Sequence, residues 1–168
     1  MFAFIARKIL RSKIRRNDQK HQKKFLPWEQ IEKIALIVGS ESILNKSELD
    51  TLLNDTHKYI EVFFIEPKSK EPSYGDWQCF LKKDTNFLKL PNHAAEEHIK
   101  GKQFDVVINT CPGNNLFAAG IASFLTASFK CAGSRGIHDA DLIIQSSDTK
   151  NPATLLKDTF HYIKMIHV

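Results

Sequence analysis

The sequence predicts an α/β fold, and two patterns and the chain length support this prediction. Short apolar runs rich in β-branched residues recur along the chain and are typical of strands buried on both faces. Amphipathic helical patterns separate these runs, which implies right-handed crossovers and a mainly parallel sheet. The 168 residues, of which 42% are hydrophobic and 26% charged, suit a single globular core. We therefore expect a Rossmann-like three-layer sandwich of strands and helices, preceded by a basic N-terminal helix.

The first half of the domain begins with a strand at residues 33–39, where KIALIVG is a short apolar run rich in β-branched residues. Leucines at helical spacing mark an amphipathic helix over about residues 46–57. A second strand is expected at residues 59–65, followed by a polar loop at residues 68–75. Weak strand signals within residues 80–90 predict a hairpin at the edge of the sheet.

The middle of the chain contains the clearest strand and the most apolar helix. Asn92 is a suitable N-cap for a short helix that ends at Gly101. Residues 104–110 (FDVVINT) predict a fully buried strand. The turn after this strand leads into a helix that is apolar on nearly every side, and we expect it to run to about residue 129.

The last part of the chain predicts two short extended pieces and a terminal helix. The extended pieces are expected around residues 130–132 and at residues 141–145. Asn151 and Pro152 form a good helix start, because proline fits the first helical turn. The buried stripe of the helix that follows is expected to contain Leu155, Leu156, Phe160, Ile163 and Ile166.

Positive charge is concentrated at the N-terminus. The formal net charge is +5, from 24 Lys and Arg against 19 Asp and Glu. Residues 1–25 carry nine of these cations and one acid, so this arm has a net charge of +8 and residues 26–168 have −3. We therefore divide the chain into a basic amphipathic arm, residues 1–25, and a single α/β domain, residues 26–168. Such an asymmetric distribution of charge is usually related to the binding of partners.

The arm has the periodicity of an amphipathic helix, with apolar residues at roughly helical spacing up to residue 14. The cations that we expect to bind a surface are Arg7, Lys8, Arg11, Lys13, Arg15 and Arg16. Such a helix can lie on an anionic membrane or contact the phosphates of RNA, with no DNA sequence specificity. Alternatively, Phe2, Ile5 and Ile9 pack on the domain, the arm docks into a protein partner, or it is a cleaved targeting peptide.

Cysteine content and hydropathy limit the compartments in which the protein is expected. Three cysteines exclude a disulfide scaffold and fit a reducing compartment. No apolar run reaches the roughly 20 residues that a membrane span needs. A secretory signal is disfavoured because Arg7 and Lys8 interrupt the apolar part of the arm. We therefore expect a cytoplasmic protein, which its arm can hold at the inner membrane.

A ligand site is expected beyond the carboxyl ends of the strands, where sheets of this kind bind ligands. Three loops should lie there, at residues 39–42, 110–115 and 146–151. The first, GSES, has one glycine where the dinucleotide fingerprint needs three, and the phosphate-binding P-loop pattern is absent. Dinucleotide and P-loop chemistry are therefore disfavoured, and no cofactor is predicted.

The second loop contains the best candidates for ligand binding, which are Thr110, Gly113, Asn114 and Asn115. It joins the clearest strand to the most apolar helix, so backbone N–H groups at the helix start can point into the crevice. Cys111 is a candidate nucleophile, because a helix N-terminus can activate a thiol. Alternatively, Gly113 and Asn114 form the turn, Asn115 caps the helix and Cys111 is buried. No histidine is close in the sequence to act as a base, although His138 lies further along.

The other polar motifs give weaker signals, and no metal site is predicted. Residues 133–136 (GSRG) resemble an anion-binding turn, but a strand follows them where a phosphate loop needs a helix. His93 and His98 would lie about 140° apart around a helix, not on one face as a zinc-binding pair requires. Residues 138–141 (HDAD) also have poor ligand spacing, and the three cysteines form no CxxC pair.

The order of these pieces resembles an uncharacterised family of short bacterial proteins, a domain of unknown function with a basic N-terminal helix and a Rossmann-like domain. The similar stretches are residues 33–39, the Asp76-Trp77 region, FDVVINT with the following LFAAGIASFLTASFKCAGSRG, and DLIIQ with the terminal helix. This resemblance implies the fold and a cytoplasmic setting, and it transfers no catalytic residues. A more distant resemblance is to the N-terminal half of heptosyltransferase-like glycosyltransferases. Those enzymes bind the nucleotide-sugar mainly in a second domain, for which this chain has no room.

Together, these features favour a binding or scaffolding module without enzymatic activity, tethered by its basic arm to RNA or to an anionic membrane surface. The charge split and the lack of an assembled catalytic set in the sequence support this hypothesis. The alternative is a small transferase or hydrolase that uses the crevice around residues 110–115. Cys111 would then be the nucleophile, and backbone amides near Asn114 and Asn115 would hold an anion.

Overall fold

Six parallel strands form one sheet in the described part of the chain. The computed structural model describes residues 2–18, 23–40, 46–66, 76–133, 140–146 and 151–166. The strands are β1 (Lys33–Gly39), β2 (Tyr59–Glu66), β3 (Gln78–Leu81), β4 (Gln103–Asn109), β5 (Thr126–Ala132) and β6 (Leu142–Ile143). The α-helices are α1 (Phe2–Asp18), α2 (Lys46–Asp55), α3 (His93–Ile99), α4 (Leu116–Phe124) and α5 (Pro152–Lys164).

The strand order is β3-β2-β1-β4-β5-β6, and every neighbouring pair is parallel. The chain builds outward from β1 in one direction, then crosses back and continues on the other side from β4. This is the doubly wound order, whose switch point lies between β1 and β4. There, Ile34 lies opposite Val106, and Ile37 lies opposite Asn109. The predicted α/β class and mainly parallel sheet are confirmed.

Helices cover both faces of the sheet. Leu49 of α2 and Leu156 of α5 pack on one face, against Leu36 of β1. Ile99 of α3 and Ile121 of α4 pack on the other face. α1 packs against α4, so it adds a further helix outside that second layer. The basic helix therefore lies on the side of the sheet away from α2 and α5.

Asparagine side chains fix the starts of three helices. Asn92, Asn115 and Asn151 are the N-caps of α3, α4 and α5. Each side-chain oxygen accepts a hydrogen bond of 3.0 Å from a backbone N–H two or three residues later. Such bonds satisfy amide groups that have no partner within the helix. The predicted start of α5 at Asn151 and Pro152 is confirmed.

The predicted end of α4 near residue 129 is wrong. The helix ends at Phe124, and β5 begins at Thr126, so the strand is longer than the expected piece at 130–132. β5 pairs with β4 from Gln103 opposite Thr126 to Asn109 opposite Ala132. The hydrogen bonds between β4 and β5 satisfy the backbone N–H and C=O groups of this segment. Its apolar residues suit either a helix or a strand, so the pairing decides between them.

The edge of the sheet also differs from the prediction. The strand β3 begins before the expected hairpin and is a parallel edge strand. The hairpin itself is reduced to one antiparallel bridge between Thr85 and Pro91. At the other edge, β6 is shorter than the strand expected at residues 141–145. The polar loop expected at residues 68–75 lies outside the described residues.

Candidate functional site

α1 is attached to the domain along one narrow stripe. Ala6 and Leu10 are buried, in a small cluster whose other buried members are Leu88, Leu90 and Ala119. Ile14 packs against this cluster and follows Leu10 by four residues, as Leu10 follows Ala6, so the three share one helix face. Ala119 belongs to α4, so the two helices meet through small side chains.

The buried stripe is not the one that the sequence favoured. If α1 packed on its own domain, Phe2, Ile5 and Ile9 were expected to make the contact. Ile5 and Ile9 are instead 41% and 38% exposed, and the Phe2 side chain lies outside the described part of the chain. The small Ala6 faces the domain, because a small side chain allows close approach to Ala119.

Lys13 faces the domain, unlike most cations of α1. Its Nζ lies 2.6 Å from Glu96 Oε1 and 4.6 Å from the centroid of the Phe124 ring. Lys13 was counted among the surface-binding cations because of its charge, but its ammonium group is engaged with α3 and α4. The Arg16 side chain lies outside the described residues.

The outward face of α1 combines cationic and apolar side chains. Phe4 is 74% exposed. The exposed residues Arg7, Lys8, Arg11 and Arg15 follow it at intervals of three, four, seven and eleven, which places them on the same side of the helix. None of these four cations forms an ion pair with another residue in the described part of the chain. We call Phe4 and these cations the outer face of α1.

The carboxyl ends of β1 and β4 are joined by Thr110. Its backbone N–H and its Oγ1 both donate to the Ile37 carbonyl oxygen, at 3.0 Å each. Asn109, at the end of β4, accepts with Oδ1 from the Cys111 N–H at 3.0 Å. The Asn109 carbonyl oxygen accepts from the Gly133 N–H at 3.1 Å. Thr110 therefore holds two strand ends together, and its role in binding a ligand stays a prediction.

The rest of the predicted ligand-binding loop forms the start of α4. The Asn115 N–H donates to the Pro112 carbonyl at 2.8 Å, which closes a turn around Gly113 and Asn114. Asn115 then caps α4 with its side chain. Asn114 is exposed and Gly113 is half-buried. Ligand binding by these residues is not tested by these contacts and stays a prediction.

Cys111 lies in the core. It is 1% exposed and belongs to the cluster between the sheet and α4, with Phe117, Ala118 and Ile121. A nucleophile must be accessible to its substrate. The predicted catalytic role of Cys111 therefore requires that a substrate can reach this buried thiol. Chemical modification of the folded protein can test that requirement.

The other two cysteines have raised pKa values. Burial, with a smaller contribution from the nearby Asp141 carboxylate, raises the pKa of Cys131 to about 12. Burial also raises the pKa of Cys79, which is half-buried. Both side chains are therefore thiols at neutral pH and poor nucleophiles in the folded protein.

Several sequence motifs fall wholly or partly outside the described residues. These are positions 41–42 of the first loop, 134–136 of GSRG, 138–139 of HDAD and 147–150 of the third loop. Within the described ranges, no group of three or more His, Cys, Asp or Glu side chains is placed to hold a metal ion. Both histidines of α3 are exposed, and His98 contacts Gln78 and the Phe80 ring.

Two exposed phenylalanines, one in α1 and one near it, were not among the residues predicted from the sequence. Phe4 is on the outer face of α1, and Phe87 is 82% exposed in a turn between β3 and α3. For Phe4, the sequence contained one indication of an exposed position, which is the pair of cations three and four residues after it. Phe87 had no such signal, because its exposure depends on how the turn packs.

Comparison with known protein families found one family to which the chain can be assigned. A family model described as "Family of unknown function (DUF6913)" matches residues 3–166. The chain belongs to this family. The DUF6913 match includes α1 as well as every strand of the sheet, and it confirms the expected resemblance to a domain of unknown function. No curated protein and no solved structure matches the chain, so the glycosyltransferase resemblance stays an expectation.

The helices of this DUF6913 domain also differ in length and in charge. Among the described residues, no helix combines the length and apolar character needed to cross a bilayer. α1 has 17 residues and places cations along one side.

Proposed function

We propose that the protein is a binding module that docks on an anionic membrane surface through the outer face of α1. The observation that supports this proposal most directly is that the exposed Phe4 ring lies among four cations that have no ion-pair partner in the described residues. An aromatic ring can enter the boundary between headgroups and acyl chains, while Lys and Arg contact anionic headgroups. The combination fits both parts of such a surface.

Exposed apolar side chains favour a membrane over RNA as the partner. Contacts with RNA phosphates need cationic side chains, and they do not require exposed aliphatic side chains. On α1, Ile5 and Ile9 are about two-fifths exposed and lie on one strip beside the outer face, in addition to Phe4. A lipid surface offers these groups an apolar environment, so membrane docking explains more of the observed surface.

The contacts of α1 with the domain hold the outer face in a fixed direction. Ala6 and Leu10 anchor the opposite side of the helix, and Lys13 pairs with Glu96 of α3. α1 therefore needs no rearrangement to present Phe4 and its neighbouring cations. A pre-formed helix also avoids the entropy cost of folding on the membrane.

The cations provide the expected strength of docking and its salt dependence. Each Lys or Arg near an anionic membrane contributes about 1 kcal/mol, and salt screens this attraction. Loss of two arginines should therefore cost about 2 kcal/mol, or roughly a 30-fold lower partition coefficient. Binding should also weaken steeply between low and high salt.

The test is sedimentation with vesicles of phosphatidylglycerol and, separately, of phosphatidylcholine. We expect the full chain to bind the anionic vesicles at low salt and the double variant Arg7→Gln/Arg11→Gln to bind about 30-fold more weakly. A matched control is Lys33→Gln/Lys157→Gln, which removes the same charge from exposed positions outside α1. This control should bind like the unmodified protein.

Three outcomes would overturn the proposal. The first is that the unmodified chain binds neither kind of vesicle. The second is that both double variants lose binding equally, which would show an effect of net charge alone. The third is that the chain co-purifies with RNA, measured by its absorbance ratio at 260 and 280 nm, and does not sediment with vesicles.

The enzymatic alternative has its own test at Cys111. A catalytic thiol must react with an alkylating reagent in the folded protein, whereas a thiol that only fills the core reacts after unfolding. Mass spectrometry after alkylation distinguishes the two, with Cys79 as the half-buried reference. Rapid labelling of Cys111 in the folded protein would favour the transferase or hydrolase hypothesis.

A further inference from the structure

We propose that the turn at residues 86–89 is a second membrane-contacting element, with Phe87 entering the same lipid boundary as Phe4. This inference rests on the proposed function and adds a part to the same docking surface. Phe87 is 82% exposed and Phe4 is 74% exposed, the two highest values among the large apolar side chains of the described residues. Apolar side chains exposed in this way are typical of interaction surfaces when they lie close together.

Hydrogen bonds give the turn a fixed backbone. The Asn86 carbonyl accepts from the Lys89 N–H at 2.9 Å, and the Asn86 N–H donates to the Leu90 carbonyl at 2.8 Å. Asn86 Oδ1 also accepts from the N–H groups of Leu88 and Leu90, at 2.9 and 3.1 Å. Phe87 therefore projects from an ordered turn, so its exposure follows from the backbone path and not from a lack of local structure.

The turn packs beside α1. Leu88 and Leu90 are buried in the cluster that also buries Ala6 and Leu10 of α1. The residues that flank Phe87 therefore anchor the turn to the helix that carries Phe4. Because both elements share one apolar anchor, the turn lies beside α1, and a membrane that receives α1 is expected to reach the turn as well.

Cations accompany Phe87 as they accompany Phe4. Lys82 and Lys89 are exposed, and neither forms an ion pair with another described residue. Lys89 has a φ of 59°, a left-handed conformation that is less strained for glycine. The turn and the segment just before it thus carry an exposed aromatic ring and two exposed cations, and this charge favours anionic lipid as the occupant.

The first experiment compares Phe87→Ala with Tyr162→Ala in sedimentation with phosphatidylglycerol vesicles. We expect Phe87→Ala to lower the partition coefficient about tenfold, because partial burial of one phenyl ring is lost. Tyr162 is 49% exposed on α5, which covers the other face of the sheet. Its replacement should leave vesicle binding unchanged.

The second experiment places a fluorescent side chain at the tip of the turn. In Phe87→Trp, vesicles should shift the tryptophan emission to shorter wavelength, and brominated lipids should quench it. The unmodified chain supplies the background from Trp28 and Trp77. Quenching no greater than this background would overturn the inference even if Phe87→Ala folds poorly.

These experiments separate the inference from the function on which it rests. If the unmodified chain does not bind vesicles, the proposed function itself is wrong. If it binds and Arg7→Gln/Arg11→Gln reduces binding, but Phe87→Ala has no effect, only the inference about the turn is wrong. If Phe87→Ala instead abolishes self-association in sedimentation velocity and leaves vesicle binding intact, Phe87 contacts a second copy of the chain, which also overturns the inference.

Discussion

α5 buries most of its apolar residues against the sheet, whereas α1 divides its apolar residues between the domain and the solvent. In α5, seven of the 13 residues are buried. In α1, the buried side chains among the described residues are Ala6 and Leu10, while Phe4, Ile5 and Ile9 are exposed. Both helices are amphipathic in sequence, but their apolar residues meet different surroundings.

This difference separates two uses of an amphipathic helix. The apolar stripe of α5 completes the core that contains Leu36 and Phe129. α1 has a second apolar and cationic surface that the domain leaves open. A helix that buries its stripe supports stability, whereas a helix with an additional exposed apolar surface is suited to a partner.

The largest expected effect comes from removing a core ring of α5. Phe160 is buried and its ring centroid lies 5.2 Å from that of Trp28, so Phe160→Ala should lower the free energy of unfolding by about 3–5 kcal/mol. Phe4→Ala removes the same ring from an exposed position and should change it by less than about 0.5 kcal/mol. Urea unfolding measures both, and similar losses for the two variants would contradict the comparison.

The anchor of α1 should have a smaller effect on stability. Leu10 is almost fully buried between α1, α4 and the segment before α3. We expect Leu10→Ala to lower the free energy of unfolding by about 2–3 kcal/mol, because it leaves a cavity among the residues of this cluster. The measurement is again urea unfolding. An unchanged midpoint would show that the rest of the domain does not depend on the docking of α1.

The core on the α5 side should also show a pH dependence through Cys131. Its folded pKa of about 12 lies above the ordinary value of 9.0, so above pH 9 the unfolded chain loses a proton that the folded chain keeps. The free energy of unfolding should therefore fall with rising pH, by up to about 1.4 kcal/mol per pH unit from this group. Unfolding at pH 8 to 11 should show a shallower fall in Cys131→Ala. Equal slopes in both proteins would exclude this contribution.

A still smaller loss of stability is expected from the ion pair between α1 and α3. Lys13 and Glu96 are both partly exposed, so Lys13→Gln should lower the free energy of unfolding by less than about 1 kcal/mol. Because the ammonium group faces the domain, this variant should also bind anionic vesicles more strongly than Arg11→Gln does. Equal loss of binding in the two variants would mean that net charge, and not the outer face, governs docking.

Local sequence was sufficient where one pattern dominated. The run at β1 is apolar after Lys33 and rich in β-branched residues, and its predicted bounds agree with the observed strand. The Asn151-Pro152 pair fixed the start of α5 through a side-chain cap and a favourable first turn. The loop around Thr110 was also correctly placed at the end of β4, because it follows directly from the end of that strand.

Local sequence failed where two structures satisfied the same pattern. The segment after Asn115 is mainly apolar, so its periodicity did not show that the chain leaves the helix at Phe124 and enters β5. Pairing with β4 decides that boundary, and this partner is more than 15 residues away in the sequence. Likewise, Ala6 is too small to mark a buried face by hydropathy alone.

By itself, the sequence determined the α/β class, the basic character of the N-terminal helix and most strand positions, because these depend on local composition and periodicity. Only the tertiary structure decided which side of α1 faces the domain and which side stays open. It also brought the turn with Phe87 beside α1, through Leu88 and Leu90. The reason is physical, since exposure depends on which distant surfaces pack together, and residue patterns within one segment do not contain that information.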